Sequence, residues 1–275
     1  MKRRQGFTLV ELLIGLILVS IIGTALTRVM LSQMRFFSTQ SAQRAARSIS
    51  RASLNILRGD LEMVEAGGGM ISATNQKVVA RVPYAVGVVC SGSVVSLLPI
   101  DSLTAATAEI HGYAYKDTSM TGAFTYVYNA TPPATSSPSA CTAVGVQITT
   151  LPGGQVVILS PALPPTATTG APVLLYQRIS YEFKASSSVP GRLGLWRTVE
   201  GGAADELAAP FDSTAKFRFF ALNVDSSSVT VPSPVTTIRG IDLQLDAQAE
   251  NLVSGRPALE NAKLRTSIFF RNRVD

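Results

Sequence analysis

The strongest constraint on this chain is the apolar run at residues 7–27, FTLVELLIGLILVSIIGTALT, which contains a single charged residue, Glu11. As a helix rising 1.5 Å per residue, the run spans about 31 Å, close to the roughly 30 Å hydrocarbon core of a bilayer. An ionisable side chain inside such a segment is energetically costly and marks a functional position by default. The run therefore predicts a helix covered by membrane or by protein, in which Glu11 needs a partner.

The residues before the run are basic, since Lys2, Arg3 and Arg4 follow the first methionine. A basic start before an apolar segment is also typical of a cleaved secretory signal peptide, whose charged end stays in the cytoplasm. However, the run exceeds the roughly 7 to 15 apolar residues of a signal peptide. Its best small-x-small cleavage step, Gly23 to Ala25, is a loose match. The pattern favours an uncleaved anchor.

A small residue stands instead between the basic leader and the run, where residues 6–11 read GFTLVE. A short basic leader ending in Gly, then Phe, three mostly apolar residues and Glu, resembles the signature of the type IV prepilins. The resemblance implies that a prepilin peptidase cuts between Gly6 and Phe7 and methylates the Phe7 amine. It also implies assembly with other pilin subunits, in which Glu11 pairs with a neighbour's Phe7 ammonium. Such a pair sets register, because an unpaired buried charge costs several kcal/mol.

Residues 28–66 contain no proline and continue the helical pattern in amphipathic form. The apolar side chains that recur at helical steps are Leu54, Leu57, Leu61 and Val64. The arginines that form a separate stripe are Arg44, Arg47, Arg51 and Arg58. We interpret this stripe as a solvated basic edge, with attraction to anionic lipid or DNA as the alternative. The three glycines at 67–69 predict the end of the helix, because glycine adopts cap conformations readily.

After residue 69, short β-branched and aromatic runs alternate with Pro, Gly, Ser and Thr clusters, a pattern typical of strands and loops. The predicted strands are 77–82, 86–90, 109–115, 124–128, 155–159, 174–183, 193–197, 215–222, 236–245 and 263–270. The segments 130–140 and 161–172 are predicted loops. The tyrosines and phenylalanines in the strands partly follow a period of two, so we interpret them, with Trp196, as packing residues.

Together these stretches predict an α+β, type IV pilin-like fold. One long N-terminal α-helix, transmembrane and then amphipathic, packs on a mainly antiparallel β-sheet head. The predicted divisions are a leader at 1–6, an apolar membrane and assembly helix at 7–27, an amphipathic helix at 28–66 and a β-rich head at 70–275.

A second resemblance runs from the helix end into the head. Residues 51–68, RASLNILRGDLEMVEAGG, resemble the helix end of the PilW family of minor pilins. Three shorter segments are similar as well: YQRISY at 176–181, LWR at 195–197 and LRTSIFFRN at 264–272. The J-type pseudopilin of type II secretion shares the same plan and is the main competing identity.

Composition argues against several other classes. The formal net charge of +6 falls to about +3 without the leader, which is a weak footprint for nucleic acid. Cys90 and Cys141 lack Cys-x-x-Cys spacing and His111 is the only histidine, so we expect no metal site. In a domain outside the cytoplasm, the two cysteines are compatible with one disulfide, although their distance in space is open. Nucleophile-elbow and phosphate-loop motifs are missing, so we expect neither an enzyme nor a cofactor.

The resemblance and the composition lead to one main hypothesis, a minor pilin that helps to initiate or cap a type IV pilus serving adhesion, twitching motility or DNA uptake. The expected location is the inner membrane, with a single pass, a cytoplasmic N-terminus and a periplasmic head, and then the pilus at the cell surface. One alternative is the J-type pseudopilin. The other is a pilus-tip module that binds DNA or a surface ligand through a basic patch, for which the candidates are Arg192, Arg197, Arg218 and Arg239.

Overall fold

A computed structural model of the chain describes residues 9–116, 124–128, 130–147 and 152–270. Within these residues a 53-residue helix, α1, precedes a thirteen-stranded sheet. The helices are α1 (Leu9–Leu61), α2 (Pro99–Thr107) and α3 (Ser139–Thr142), with a 3₁₀ turn at Val235–Thr237. The first seven strands are β1 (Met70–Ala73), β2 (Lys77–Ser91), β3 (Val94–Leu97), β4 (Gly112–Lys116), β5 (Phe124–Tyr128), β6 (Thr131–Ser136) and β7 (Gln155–Ser160). The others are β8 (Pro172–Ala185), β9 (Leu193–Val199), β10 (Ala204–Phe211), β11 (Lys216–Ala221), β12 (Ile238–Gln248) and β13 (Asn261–Phe269).

The long helix is confirmed, but it ends at Leu61 rather than at residue 66. The next amides of Met63 and Val64 donate to carbonyls only three residues back, those of Asp60 and Leu61. Such bonds tighten the last turn of a helix and let the chain leave its axis. The turn buries Val64 and directs residues 65–69 toward β1.

All observed strand pairs are antiparallel, as predicted. The main order across the sheet is β11-β12-β10-β9-β8-β2-β3-β7-β6. The remaining strands pair at its sides: β1 with β2, β13 with β12, and β4 with both β5 and β8. The sheet is therefore built around three long strands, β2, β8 and β12.

The strand β2 runs through the point where the sequence predicted a break, at Pro83. The amide of Arg81 points away from β8, because it donates to the Gly69 carbonyl on the β1 side. Two residues later, the missing N–H of Pro83 faces the same side, between the ends of β1 and β3. Proline is tolerated in this strand because no ladder bond is lost there. The pairing with β8 shifts register just after Pro83.

Among its described residues, the head has two large hydrophobic cores and one small cluster around the two cysteines. We call β1, β9–β13 and the adjoining ends of β2 and β8 the helix-side half, because α1 packs on β10, β12 and β13. We call β3–β7, α2, α3 and the opposite ends of β2 and β8 the far half, whose core includes the loop at 161–171. Two strands thus connect two separately packed halves.

Several elements of the head differ from the predictions. The segment 130–140, predicted as a loop, contains β6 and the start of α3. The strands β1, β3 and β10 and the helix α2 were not predicted. Strand 124–128 lies as predicted, and most other predicted strands agree within two or three residues at each end.

Candidate functional site

The first part of α1 projects from the head with its apolar side chains uncovered. Residues 9–38 are all exposed, and Thr39 is the first buried residue of the helix. These thirty positions extend about 45 Å. By its length and composition α1 is long and apolar enough to cross a membrane, and its most apolar stretch has no buried residue. An exposed apolar surface of this size marks contact with a membrane or with other proteins.

Glu11 lies in the first turn of α1, between the exposed side chains of Val10 and Leu12. A carboxylate at this end of a helix interacts favourably with the helix dipole. The predicted processing residues, Gly6 and Phe7, lie outside the described residues. The structure therefore places the Glu11 carboxylate on the apolar surface that a neighbour would cover, near the start of the helix.

The second part of α1 is held on the helix-side half by small as well as large residues. The buried positions of this stretch are Thr39, Ala46, Ser50, Ser53, Leu57 and Leu61. The Ser50 hydroxyl donates to the Leu245 carbonyl of β12 at 3.0 Å. The predicted stripe is confirmed for Leu57, Leu61 and Val64, and Leu54 is partly buried.

The small residues of this contact were not predicted from the sequence, because the predicted stripe contains only large apolar side chains. The available signal was their helical recurrence, since Ala46, Ser50 and Ser53 continue the steps of Leu57 and Leu61. The four stripe arginines at 44, 47, 51 and 58 are exposed, as a solvated basic edge requires.

A polar cluster fixes the end of α1 to the sheet. The Tyr181 hydroxyl donates to the Asp60 carboxylate, and Arg197 Nε lies 3.3 Å from Asp60 Oδ2 and 3.2 Å from the Tyr181 oxygen. Burial, and then the charge of Asp60, raise the pKa of Tyr181, so its proton stays in place to donate. These hydrogen bonds join the end of the helix to β8 and β9 of the sheet.

The turn after α1 is anchored by a second cluster. Glu65 is 2% exposed and accepts hydrogen bonds from the Tyr126 hydroxyl and, at 3.4 Å, from the Phe124 amide. The guanidinium carbon of Arg81 lies 4.8 Å from the centres of both the Tyr126 and Tyr128 rings. A side chain at Gly68 would come within 2.7 Å of Tyr126, so this glycine permits the close approach.

The two cysteines lie in the far half, where a disulfide joins Cys90 of β2 to Cys141 of α3. Their Cα atoms are 4.8 Å apart and both residues are fully buried.

His111 Nε2 lies 2.8 Å from the Glu200 carbonyl. Among the residues that the structure describes, no group of three or more His, Cys, Asp or Glu side chains is placed to hold a metal ion.

The proposed basic patch is not assembled as one surface of free arginines. Arg197 is paired with Asp60, Arg218 with Asp242 and Arg239 with Asp225. Three of the four predicted arginines are therefore paired with carboxylates on different elements, and the charge of the fourth, Arg192, acts on the Asp212 carboxyl, whose pKa it helps to lower. The sequence hypothesis that these arginines form a single DNA-binding patch receives no support from their placement.

Comparison with known proteins adds a family match at the N-terminus. Residues 1–27 match the prokaryotic N-terminal methylation motif. Neither a curated protein nor a solved structure matches the chain.

The long helix and the mostly antiparallel open sheet make this an α+β protein of type IV pilin-like architecture. The methylation motif and the apolar helix together support a type IV pilin or pseudopilin. The motif implies processing by prepilin peptidase and assembly with other pilins, and the helix indicates membrane anchoring.

Proposed function

We propose that this protein is a minor pilin, a non-enzymatic subunit that helps to initiate or cap a type IV pilus. The observation that carries the proposal is an exposed apolar helix, following the methylation motif, that is firmly fixed to a large head. Repeating a thirteen-stranded head along a thin fibre is sterically harder than placing it at one end. The PilW-like segments at the helix end and in the head support the same assignment.

In this proposal the chain crosses the inner membrane once, with a cytoplasmic N-terminus and a periplasmic head, and later joins the pilus at the cell surface. The basic leader supports this orientation, because positive residues flanking an apolar helix stay on the cytoplasmic side. Adhesion, twitching motility and DNA uptake are the tasks that such a pilus would serve. The cysteines fit the location, since disulfides persist in oxidising compartments.

The experiment that tests the pilus role is deletion of the gene, followed by counts of surface filaments and assay of secreted proteins. We expect fewer filaments with unchanged secretion, restored by the intact gene. Unchanged filaments together with lost secretion would instead assign the chain to the J-type pseudopilins.

Replacing Gly6→Leu should leave the leader attached, because a bulky side chain at the cleavage position blocks the peptidase. Intact-mass measurement of the membrane-extracted protein should then show the six leader residues and no methylation of Phe7. The matched control is Gln5→Leu, which adds the same side chain one position earlier. A trimmed and methylated Gly6→Leu product would show that the cut lies elsewhere.

Replacing Glu11→Val should leave membrane insertion intact and strongly reduce recovery of the protein in sheared filaments. The apolar anchor remains, but the carboxylate that pairs with a neighbour's Phe7 amine is lost. Ser20→Val, which also removes a polar group from α1, serves as the control, and Glu11→Asp should restore part of the incorporation. Wild-type incorporation of Glu11→Val would remove the register role.

A further inference from the structure

A concavity of about 410 Å³ lies in the helix-side half, where two connecting segments meet the end of β12. The connection between β8 and β9 contributes Arg192, and the turn that follows β10 contributes Asp212. The last residue of β12, Gln248, also lines the concavity. Its volume falls within the roughly 300 to 1,000 Å³ that is typical of small-molecule sites.

Hydrogen bonds prepare the acidic side of the concavity. The half-buried Asp212 carboxylate accepts bonds from the Thr214 amide, at 2.9 Å, and from the side-chain amide of Gln248. The bond from Thr214 is the largest influence that lowers the pKa of Asp212, so the carboxylate is ionised at neutral pH. Each carboxylate oxygen can accept more than one bond, which leaves room for a donor from a ligand.

The Gln248 side chain supplies a second acceptor beside this carboxylate. Gln248 is 7% exposed, and its Oε1 has no hydrogen-bond partner among the described residues. Its Nε2 donates to Asp212, which fixes the orientation of the amide. A buried polar oxygen without a partner is costly and uncommon in native proteins. A donor group that enters the concavity beside Asp212 would supply the missing bond.

A guanidinium without a close partner forms the basic side. Arg192 is half-buried, and within the described part of the chain no ion pair or side-chain hydrogen bond holds its guanidinium. Its backbone is fixed, because its amide donates to the Val189 carbonyl and its carbonyl accepts from the Ser186 amide. Its charge helps to lower the pKa of Asp212, although the two side chains form no ion pair. The concavity thus presents opposite charges that are not in contact with each other.

These separated charges select the class of ligand. A simple anion would be attracted by Arg192 and repelled by Asp212, and a simple cation would meet the reverse. A zwitterion that carries an ammonium group and a carboxylate satisfies both, and the forked guanidinium suits a carboxylate well. Ala185, Leu193 and Phe211 form an apolar part of the wall, which suits an aliphatic side chain.

We propose that this concavity binds a free α-amino acid with an aliphatic side chain. The ammonium group donates to Asp212 and to Gln248 Oε1, and the carboxylate binds the Arg192 guanidinium. The aliphatic side chain packs on Leu193 and Phe211. The site shares no residue with the apolar surface of α1, and it goes beyond the proposed pilin function without depending on it.

The test uses the full mature chain in detergent micelles at neutral pH, with L-leucine as the ligand and empty micelles as the blank. Saturation-transfer NMR measures the affinity, and we expect saturable binding with a Kd of about 1 mM or less. Two fragments of leucine each lack one charged group and add no bulk: isoamylamine lacks the carboxylate, and 4-methylpentanoate lacks the ammonium group. Each should bind the wild type at least about tenfold more weakly, because bonds to a charged group are lost.

Two variants match these fragments to the residues. Arg192→Gln should weaken L-leucine binding about tenfold and leave isoamylamine binding unchanged or stronger, because a repelling charge is removed. Asp212→Asn keeps the shape of the side chain and should weaken L-leucine binding to a similar extent, with 4-methylpentanoate binding unchanged or stronger. The control Arg44→Gln, on α1, should bind all three ligands like wild type. Circular dichroism checks that every variant folds.

Three outcomes would overturn the proposal. The first is that L-leucine shows no saturable binding to the wild type at concentrations well above the expected Kd. The second is that either fragment binds as tightly as L-leucine, which would make the concavity a site for a single charge. The third is that a folded Arg192→Gln or Asp212→Asn variant loses affinity equally for all three ligands, which would remove the pairing of each charge with one residue.

Discussion

The two halves of the head close their cores in different ways. In the helix-side half, α1 covers the sheet and places Leu57, Leu61 and Val64 among aromatic residues of β8, β10 and β11. In the far half, α2 and the loop at 161–171 cover the sheet. A disulfide between Cys90 and Cys141 adds a covalent link in a small third cluster.

This difference links stability to assembly in one half only. The helix that closes the helix-side core also carries the exposed apolar surface at residues 9–38. A change that loosens α1 is therefore expected to weaken the packing of the helix-side core before that of the far half. The far half carries the disulfide, and it is joined to the helix-side half through β2 and β8 and through the hydrogen bonds from Tyr126 and Phe124 to Glu65.

The largest effect is expected from Leu57→Ala, which removes a fully buried side chain from the helix-side core. The cavity should lower the free energy of unfolding by about 3 to 5 kcal/mol. Hydrogen exchange should increase in β10, β12 and β13 and much less in β3 and β7.

The matched control for this change is Ile56→Ala, at a neighbouring position that is 38% exposed. We expect it to lower the free energy of unfolding by less than about 1 kcal/mol. If the Leu57→Ala variant lost hydrogen-exchange protection equally in the helix-side half and in the far half, the head would be one cooperative unit.

A smaller effect is expected from removal of the disulfide in the double variant Cys90→Ser, Cys141→Ser. The bond closes a loop between residues 51 positions apart, and its loss should lower the free energy of unfolding by about 2 to 4 kcal/mol. Exchange should increase in β6, β7 and α3, while α1 and β13 stay protected. Faster hydrogen exchange in α1 of this variant would show that the two halves of the head are not independent.

The smallest effect is expected from acid, and it should fall on the helix-side half. Burial by itself would raise the pKa of Asp242, but hydrogen bonds from Arg265 and Ser227 hold that pKa below its ordinary value of 3.8. The ionised carboxylate therefore stabilises the folded state at neutral pH. This contribution is lost as the pH falls below about 4 and through the folded-state pKa.

The variant that isolates this contribution is Asp242→Asn. It should be less stable than wild type by about 1 to 3 kcal/mol at pH 7, with the difference shrinking below about pH 4. Denaturation curves at pH 7, 5 and 3 measure it. A difference that is unchanged at pH 3 would show that Asp242 acts by packing rather than by charge.

Much of the fold followed from local pattern. The helix α1 and strands such as β5 and β7 have enough periodicity to be read from the sequence. The edge strand β6 was missed because TPPATS has the composition of a turn, and proline is accepted where no ladder partner is needed. The strand β10 was missed because ADELAAPF has few residues that favour strands.

The candidate functional residues also include some that were predicted from local sequence and others that were not. Glu11 was predicted from its sequence surroundings alone, whereas the buried Ser50 was not predicted. Nothing in the sequence distinguishes Ser50 from other helix serines, and only the structure shows that its hydroxyl lies 3.0 Å from the Leu245 carbonyl.

By itself, the sequence determined the linear features: the leader, the GFTLVE motif, the apolar length and the run of strands. A peptidase and a bilayer interact with such segments locally, so these features do not depend on tertiary contacts. The tertiary structure decided which strands are neighbours, how α1 closes one core, that Cys90 meets Cys141, and which cations share a face. These depend on pairing between distant segments, whose register follows from the packing of the whole sheet.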